Sequence, residues 1–365
     1  MKRSFILLLV LCLLLCGCSS AGKNPATGDV PATGNTTETT AETTETTENT
    51  EPPVLYRHPL TGEALTSPYA GRPTSVVVNN IKACLPQFGI GSADMIYEFE
   101  TEGGITRLLA IFSDLTDVGS IGPVRSARTY FSNISASYDI PMAHCGGSVN
   151  GLKGYYDKTH ALKKWEHIDQ FYNGSYFFRD KERRKNGYAL EHTLFTTGDL
   201  LTQVLAKKGY DQPTANNEDY GLLFEDAPAI NGETANKIVV TFNGKKTTTM
   251  TFDATSGLYK AAQYKKDHID AATGETMSYR NVFVLLSKQT RANDGYYTRS
   301  YYDLIGEGDG YFACDGKIVP IKWSRSSVTE PFAYTLTDGT PVTLGVGTSY
   351  FGVVNTKAPA GVAYE

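Results

Sequence analysis

Apolar and β-branched residues alternate or cluster along the first half of the chain in a way that predicts strands. Three stretches have this pattern: SVVVNN (75–80), ADMIYEFETE (93–102) and ITRLLAIFS (105–113). The last two are joined through Glu102-Gly103-Gly104-Ile105. Because glycine adopts positive φ at little cost, we expect a hairpin at this turn.

Two helices are predicted in the same half. SARTYFSNISASY (126–138) opens on Ser126, which is a good N-cap residue. TTGDLLTQVLAKKG (196–209) starts with a capping residue and an acid, and it ends with two lysines and a glycine. Helical periodicity places Leu200, Val204 and Leu205 on one face of this second helix.

From about residue 229 onward the pattern is almost entirely that of strands. KIVVTFN and TTTMTFD surround Asn243-Gly244, a hairpin signature, and further strand-like stretches follow at 281–289, 310–324 and 341–354. The sequence therefore predicts an α+β protein. We expect an N-terminal α/β domain with a mixed sheet at residues 54–228, followed by a smaller, mostly antiparallel β-rich domain at residues 229–365.

The N-terminus has the features of an export signal. Residues 1–17, MKRSFILLLVLCLLLCG, combine two positive charges with a leucine-rich run that is too short for a membrane-spanning helix. Leu15-Cys16-Gly17-Cys18 resembles a bacterial lipobox, which predicts cleavage after Gly17 and lipidation of the Cys18 thiol. The alternative is a plain signal peptide with a chance cysteine. Two or more acyl chains on Cys18 would anchor the protein stably to a membrane.

The segment that follows, residues 18–53, is predicted to be a disordered tether. It contains TTETTAETTETTENTE and has no aromatic residue, so it cannot bury enough surface to offset its ordering entropy. The whole chain has 34 basic and 39 acidic residues, and removing the three basic and six acidic residues before position 54 leaves 31 and 33. This near-neutral balance, together with export, argues against a nucleic-acid partner.

The cysteines predict neither a metal site nor a disulfide framework. After loss of the signal and lipidation of Cys18, three cysteines remain, Cys84, Cys145 and Cys314, and their spacing matches no zinc motif. An odd number cannot all pair within the chain, so free buried thiols are expected.

Candidate chemistry centres on arginines beside two glycine-containing turns. In GPVRSART, Arg125 and Arg128 are predicted to flank the first turn of a helix that starts at Ser126, where free N–H groups attract anions. Arg107 is expected across the hairpin from Glu98, Glu100 and Glu102, whose alternation would put them on one face of their strand.

Two interpretations of these charges stay open. The glutamates could match the arginines in an internal network that holds the hairpin against the helix. Alternatively, Arg107, Arg125, Ser126 and Arg128 could grip a phosphate, pyrophosphate or carboxylate. The three glutamates Glu98, Glu100 and Glu102 could then also hold a divalent cation between the protein and the phosphate, so the cofactor is left unknown.

Further candidates for a site lie in two loops. Gly146 and Gly147, in AHCGGSVNG (143–151), would let the backbone approach a ligand closely. His192 and Glu102 are candidates for acid–base catalysis. The chain has none of the G-x-S-x-G, HExxH or paired-cysteine motifs, and no metal site is assigned.

Several motifs in order carry a family resemblance: RPTSVVVNN, ADMIYEFETEGGITRLLAIF, GPVRSARTYF, EHTLFTT, DHID, NVFVLL, GEGDGYFACDGK and IKWSR. The chain resembles the YerB-like lipoproteins of Gram-positive bacteria. The resemblance implies a lipoprotein at the outer face of the cytoplasmic membrane and no established activity. That family usually has Pro-His-Asn where this chain has Glu191-His192-Thr193.

Two functions are therefore weighed. The first is a binding or scaffolding lipoprotein of the cell envelope, whose partners would be wall polymer, a lipid-linked phosphate or an envelope protein. The second is a phosphoryl or glycopolymer transferase, because the arginines show a distant likeness to those of LytR–CpsA–Psr enzymes, which hold a lipid pyrophosphate. In that case Glu98 or Glu102 would hold a metal or act as the base. The sequence leaves open whether the protein is an enzyme.

Overall fold

The computed structural model describes residues 56–148, 166–214, 219–293 and 297–365. The predicted signal, lipidation site and tether lie outside these residues, as does the end of the AHCGGSVNG loop beyond Ser148. Residues Pro53–Glu365 form a single unit by their contacts. Within the described ranges, no helix is long and apolar enough to cross a membrane.

The described elements of the first half are short strands, single turns of 3-10 helix and three α-helices. The strands are β1 (Tyr56–Arg57), β2 (Ala64–Leu65), β3 (Thr74–Asn80), β4 (Met95–Glu100), β5 (Thr106–Phe112), β6 (Ser120–Ile121), β7 (Met142–His144), β8 (His167–Asp169), β9 (Phe178–Arg179), β10 (Leu194–Thr197) and β11 (Leu223–Glu225). The helices are α1 (Thr129–Ser137), α2 (Lys181–Lys185) and α3 (Gly198–Lys208).

All helices and strands described in the second half of the chain are strands. They are β12 (Glu233–Thr234), β13 (Lys237–Asn243), β14 (Lys246–Asp253), β15 (Leu258–Gln263), β16 (Lys266–Asp267), β17 (Ser278–Tyr279), β18 (Asn281–Ser287), β19 (Gln289–Asn293), β20 (Thr298–Tyr302), β21 (Gly306–Cys314), β22 (Lys317–Arg325), β23 (Ala333–Leu336), β24 (Thr343–Gly345), β25 (Ser349–Asn355) and β26 (Gly361–Tyr364).

A mixed sheet of eleven strands draws on both halves of the chain. Its order is β12-β22-β21-β18-β25-β4-β5-β3-β7-β8, and β23 also pairs with β22. At the junction, β25 is parallel to β18 on one side and to β4 on the other. The two halves therefore share one sheet, and the division into two domains at residue 228 stays a prediction.

A second, antiparallel sheet covers one face of the first. It has the order β16-β15-β14-β13-β26, with β17 on β15. One hydrophobic core joins Ile238 and Val240 of β13 to Val76 and Val78 of β3 and to Val204 of α3. On the opposite face, the core joins α1 to the alternate residues of β3 and β4. The mixed sheet is thus a central layer with apolar side chains on both faces.

Local sequence signals place several of these elements correctly. The three predicted strands and the turns at Gly103-Gly104 and Asn243-Gly244 are confirmed, with φ values of 79° and 72° at Gly103 and Gly104. Helix α3 has the predicted caps, because the Thr197 side chain accepts a hydrogen bond from the Leu200 N–H at 3.1 Å and Gly209 is left-handed. The buried face of α3 differs by one residue, since Leu201 rather than Leu200 is buried.

The start of α1 differs from the prediction. The helix begins at Thr129 with Arg128 as its N-cap, and no side chain caps it. The chain before it is extended, because the Arg125 N–H donates to the Val77 carbonyl at 2.8 Å and the Ala127 N–H donates to the Gly146 carbonyl at 3.0 Å. These tertiary hydrogen bonds outweigh the capping preference of Ser126, which therefore does not cap the helix.

Candidate functional site

Three polypeptide segments meet where β3 ends and β5 begins. Arg107 of β5 lies opposite Asn79 of β3. On the other side of β3, the Asn79 N–H donates to the Pro123 carbonyl at 2.9 Å. The segment that carries Arg125 then bonds to the next loop, where the Cys145 N–H donates to the Arg125 carbonyl at 3.0 Å. This order brings Arg107, Arg125 and Arg128, here called the arginine cluster, to one end of the sheet.

Arg128 is matched by a carboxylate of the protein. Its Nε lies 3.0 Å from both carboxylate oxygens of Glu102, and its Nη2 lies 2.6 Å from Glu102 Oε2. Burial alone would raise the pKa of Glu102, but the hydrogen bonds and charge of Arg128 outweigh burial and lower the pKa to about 2. Glu102 is therefore ionised and bound, which makes it a poor general base.

This pairing predicts a pH dependence of stability. A carboxyl whose pKa is lowered in the folded state adds stability above its unfolded pKa of about 4.3, and this stability is lost as the pH falls toward 2. We expect Glu102→Gln to lower the free energy of unfolding by about 1–2 kcal/mol at pH 7. The deficit should shrink below about pH 4, as measured by urea unfolding at several pH values. The exposed Glu275→Gln variant is the control, and a deficit independent of pH would contradict the prediction.

Arg125 is only partly matched. Its Nη2 lies 3.3 Å from Glu191 Oε2, and half of the Glu191 side chain is exposed. The Nε of Arg125 is buried and has no hydrogen-bond partner. Arg125 also lines an open cavity of about 320 Å³ together with Arg179, Cys145 and Leu190. One charged side chain of the cluster therefore reaches a space that a ligand can enter.

Arg107 has no matching carboxylate in the described part of the chain. It is 5% exposed, and its Nη1 donates to the Ser126 carbonyl oxygen at 2.7 Å. Its Nε has no partner. Burial lowers the pKa of Arg107 well below its usual value, and the charges of Arg128 and Arg125 lower it further, whereas Tyr130 and Glu102 act in the opposite direction. A buried cation beside two other cations is unfavourable unless an anion balances it.

The three glutamates do not form one group. Glu98 is buried and pairs with Lys246 at 3.0 Å, whereas Glu100 pairs with Arg291 at 3.2 Å. Glu102 lies beyond the end of β4 and turns toward Arg128, so the prediction of one shared face is wrong. Among the described residues, no three His, Cys, Asp or Glu side chains are arranged to hold a metal ion.

His192 lies beside the arginine cluster. Its Nδ1 is 3.1 Å from Asn79 Nδ2, and its Nε2 is 3.6 Å from Glu191 Oε1. If the Asn79 amide donates, His192 Nδ1 accepts and the ring proton is on Nε2. Burial lowers the pKa of His192, and Arg125 and Arg183 lower it further, although Glu191 acts in the opposite direction. The ring is therefore neutral at pH 7 and is held by its neighbours.

The glycine loop also reaches the site. Gly146 has a φ of 66°, and its N–H donates to Asp169 Oδ1 at 2.8 Å. Gly147 follows in the same loop and is half-buried. Ser126 contributes its carbonyl to Arg107.

Sequence reasoning missed Asp169 and Asn79. Each is fully buried and keeps one side-chain oxygen without a hydrogen-bond partner, Oδ2 in Asp169 and Oδ1 in Asn79. Their signal is a polar residue at the carboxyl end of a buried strand, where ligand sites in α/β sheets commonly form.

The cysteines are free, as predicted. Cys84 and Cys314 are buried, and Cys145 is half-buried beside the arginine cluster. Burial raises the pKa of the Cys145 thiol and Asp169 raises it further, while Arg179, Arg125 and Arg107 act in the opposite direction. The thiol is therefore protonated at neutral pH, which makes it a weak nucleophile.

Family models match most of the described chain. Residues 60–211 match the N-terminal domain of the protein family of unknown function DUF3048, and residues 238–351 match its C-terminal domain. The chain belongs to the DUF3048 family. The resemblance drawn from the motifs is thereby confirmed.

A DUF3048 relative has a known structure. The chain is 28% identical over 281 residues to YerB of Bacillus subtilis (strain 168), whose name describes it as a candidate lipoprotein. The alignment covers 73% of this chain and 80% of YerB. The crystal structure of YerB matches with a TM-score of 0.69 and 26% identity, covering 84% of this chain and 99% of that chain. The mixed and antiparallel sheets of this DUF3048 protein thus belong to a fold that is known from experiment.

Proposed function

We propose that the protein is a lipid-anchored lipoprotein at the extracytoplasmic face of the cell membrane, and that it binds an anionic ligand through the arginine cluster. The Leu15-Cys16-Gly17-Cys18 motif and the name of the related YerB protein support the anchor. Lipidation of Cys18 would tie the folded unit to the membrane through residues 18–53. A binding or scaffolding role in the envelope follows from this placement.

The observation that carries the proposal is the unmatched charge of Arg107. Arg128 has Glu102 and Arg125 has Glu191, but Arg107 has no carboxylate within ion-pair distance among the described residues. Removing a guanidinium from water costs several kcal/mol unless an opposite charge offsets the cost. A bound anion would supply that charge, and guanidinium groups suit phosphate and carboxylate geometry well.

The surroundings favour a phosphate-bearing ligand of the envelope. The cavity beside Arg125 has a volume of about 320 Å³, which accommodates a small phosphorylated group. A second arginine, Arg179, lines it, as does Glu191, the carboxylate that pairs with Arg125. Candidate ligands are wall polymer phosphate and the phosphate or pyrophosphate of a lipid-linked precursor. A tethered protein meets both at the outer membrane surface.

The test is to replace Arg107 by methionine and measure thermal unfolding with and without pyrophosphate. We expect pyrophosphate at 100 times its dissociation constant to stabilise the unaltered protein by about 2.7 kcal/mol. Arg107→Met should remove this stabilisation, because it deletes the unmatched charge while keeping the bulk of the side chain.

Arg72 offers a matched control. Its side chain is 5% exposed and, unlike that of Arg107, it is paired with Glu166 and Asp139. Arg72→Met should therefore destabilise the ligand-free protein while preserving the shift with pyrophosphate. If no anion stabilises the unaltered protein, or if Arg107→Met keeps the full shift, the proposed function is wrong.

A further inference from the structure

Four buried polar atoms without partners lie around the arginine cluster, and they are not all of one kind. Arg107 Nε and Arg125 Nε are donors, whereas Asn79 Oδ1 and Asp169 Oδ2 are acceptors. Buried polar atoms are usually hydrogen-bonded, so several unpaired atoms in one region need an explanation. A bare anion would satisfy the two donors but not the two acceptors.

Backbone contacts connect these four residues into one neighbourhood. Asn79 is opposite Arg107, and the segment carrying Arg125 runs along the other side of Asn79. The Ala127 N–H donates to the Gly146 carbonyl, and the Gly146 N–H donates to Asp169 Oδ1. The thiol of Cys145, in the same loop, is close enough to be influenced by Asp169, Arg125 and Arg107 together.

Asp169 restricts the kind of anion that fits. Burial raises the pKa of Asp169, whereas hydrogen bonds from the Gly146 and Phe171 N–H groups favour its ionised form. When it is ionised, this carboxylate repels a phosphate at short range, so a site that binds only phosphate would bind it more tightly without Asp169. A ligand that carries hydroxyl groups next to its charge removes this conflict, because a hydroxyl donates to Asp169 Oδ2 while the phosphate meets the arginines. Asn79 Oδ1 can accept from a second hydroxyl in the same way.

An aromatic surface lies next to Asp169. Phe171 is 70% exposed and Tyr172 is 69% exposed, and both follow Asp169 in the same loop. The Phe171 N–H donates to Asp169 Oδ1 at 3.2 Å, and a Cβ on Gly146 would lie only 2.9 Å from the Phe171 ring. The ring is therefore held against the loop that borders the arginine cluster. Exposed aromatic faces at such a border provide apolar contact for the C–H face of a sugar ring.

We infer that the anion bound by the arginine cluster is a phosphorylated sugar, whose hydroxyl groups are read by Asp169 and Asn79 and whose ring packs on Phe171. This inference rests on the proposed function and narrows it from an anion to a class of saccharide phosphate. The ligand must bond both to the arginine donors and to the Asp169 and Asn79 acceptors, which a lipid phosphate without hydroxyl groups cannot do.

The experiment is isothermal titration calorimetry of the full-length protein in a neutral detergent with two phosphate monoesters, methyl phosphate and glucose 1-phosphate. They share the charged group and differ in the hydroxyl-bearing ring. We expect glucose 1-phosphate to bind at least about tenfold more tightly. Asp169→Asn keeps the Oδ1 acceptor but puts an N–H donor in place of Oδ2, so the ratio of the two affinities should fall to about threefold or less. Methyl phosphate should bind more tightly to this variant, because the substitution removes a negative charge.

Phe171→Ala is a second variant that leaves Asp169 in place. Because Phe171 is exposed, this variant should fold normally, weaken glucose 1-phosphate severalfold and leave methyl phosphate unchanged. Equal affinity of the unaltered protein for both esters would overturn the inference and leave the proposed function standing. Binding of neither ester, nor of pyrophosphate, would overturn both.

Discussion

Replacing Lys246 by methionine is expected to lower the free energy of unfolding by about 3–5 kcal/mol. The Lys246 side chain is 1% exposed and its Nζ lies 3.0 Å from Glu98 Oε1. Its other hydrogen bonds go to Thr248 Oγ1 at 2.8 Å, Gln263 Oε1 at 2.7 Å and the Thr247 carbonyl oxygen at 3.4 Å. Methionine fills the same space but leaves the buried carboxylate of Glu98 without a cation.

The donors around Glu98 argue that its carboxylate is ionised. Burial would raise the pKa of Glu98, but the charge of Lys246 and several hydrogen bonds lower it below its usual value. The other donors to its two oxygens are neutral: Asn80 Nδ2, Thr106 Oγ1, Thr248 Oγ1 and Tyr350 Oη. In Lys246→Met the pKa of Glu98 should rise, so the deficit should be largest at neutral pH and shrink as Glu98 is protonated in acid.

The measurement is urea unfolding at pH 7 and at pH 4–5. Lys245→Met is the matched control, because the neighbouring Lys245 is exposed and its loss should change stability by less than about 0.5 kcal/mol. The double variant Lys246→Met with Glu98→Gln should recover part of the loss, since no charge is then left unpaired. A Lys246→Met protein as stable as the control would show that the pair is not an ion pair.

This pair also illustrates what the sequence does and does not specify. The hairpin around Asn243-Gly244 is predictable because its signals are local, namely strand-forming residues on both sides of a turn dipeptide. In the stretch NGKKTTT, however, Lys246 looks like a solvated side chain next to Lys245. Its burial depends on Glu98, which is distant in sequence and belongs to the other half of the chain. No local pattern encodes that contact.

The candidate site divides in the same way. The turns that carry Arg107 and Arg125 could be predicted, because glycine and proline mark them in the sequence. The charged partners of these arginines could not be predicted from the sequence. The alternation of Glu98, Glu100 and Glu102 suggested one face of a strand, whereas the chain after the end of β4 turns Glu102 toward Arg128. Asp169 contacts Gly146, in the loop beside the arginine cluster, only because β8 pairs with β7 at the edge of the mixed sheet. Such pairings are decided by tertiary packing rather than by local propensity.

Replacing Phe351 by alanine is expected to lower the free energy of unfolding by about 3–5 kcal/mol and to destabilise both halves of the chain together. Phe351 is fully buried, and its ring stacks on Tyr97 at 4.3 Å and on Phe283 at 4.6 Å between ring centroids. Tyr97 belongs to the first half and Phe283 to the second. Removing the central ring therefore leaves a cavity that borders apolar residues from both.

The backbone around Phe351 gives the same coupling. Its strand, β25, is hydrogen-bonded in parallel to β18 on one side and to β4 on the other, so β4 becomes an edge strand wherever β25 detaches.

The measurement is hydrogen exchange in low urea, which follows amides of β3 and β5 separately from those of β18 and β21. In Phe351→Ala all four strands should lose protection by the same free energy. Phe171→Ala, at an exposed site, is the control and should leave protection unchanged. Loss of protection in β18 and β21 alone would show that the halves unfold as separate units, despite the sheet that they share.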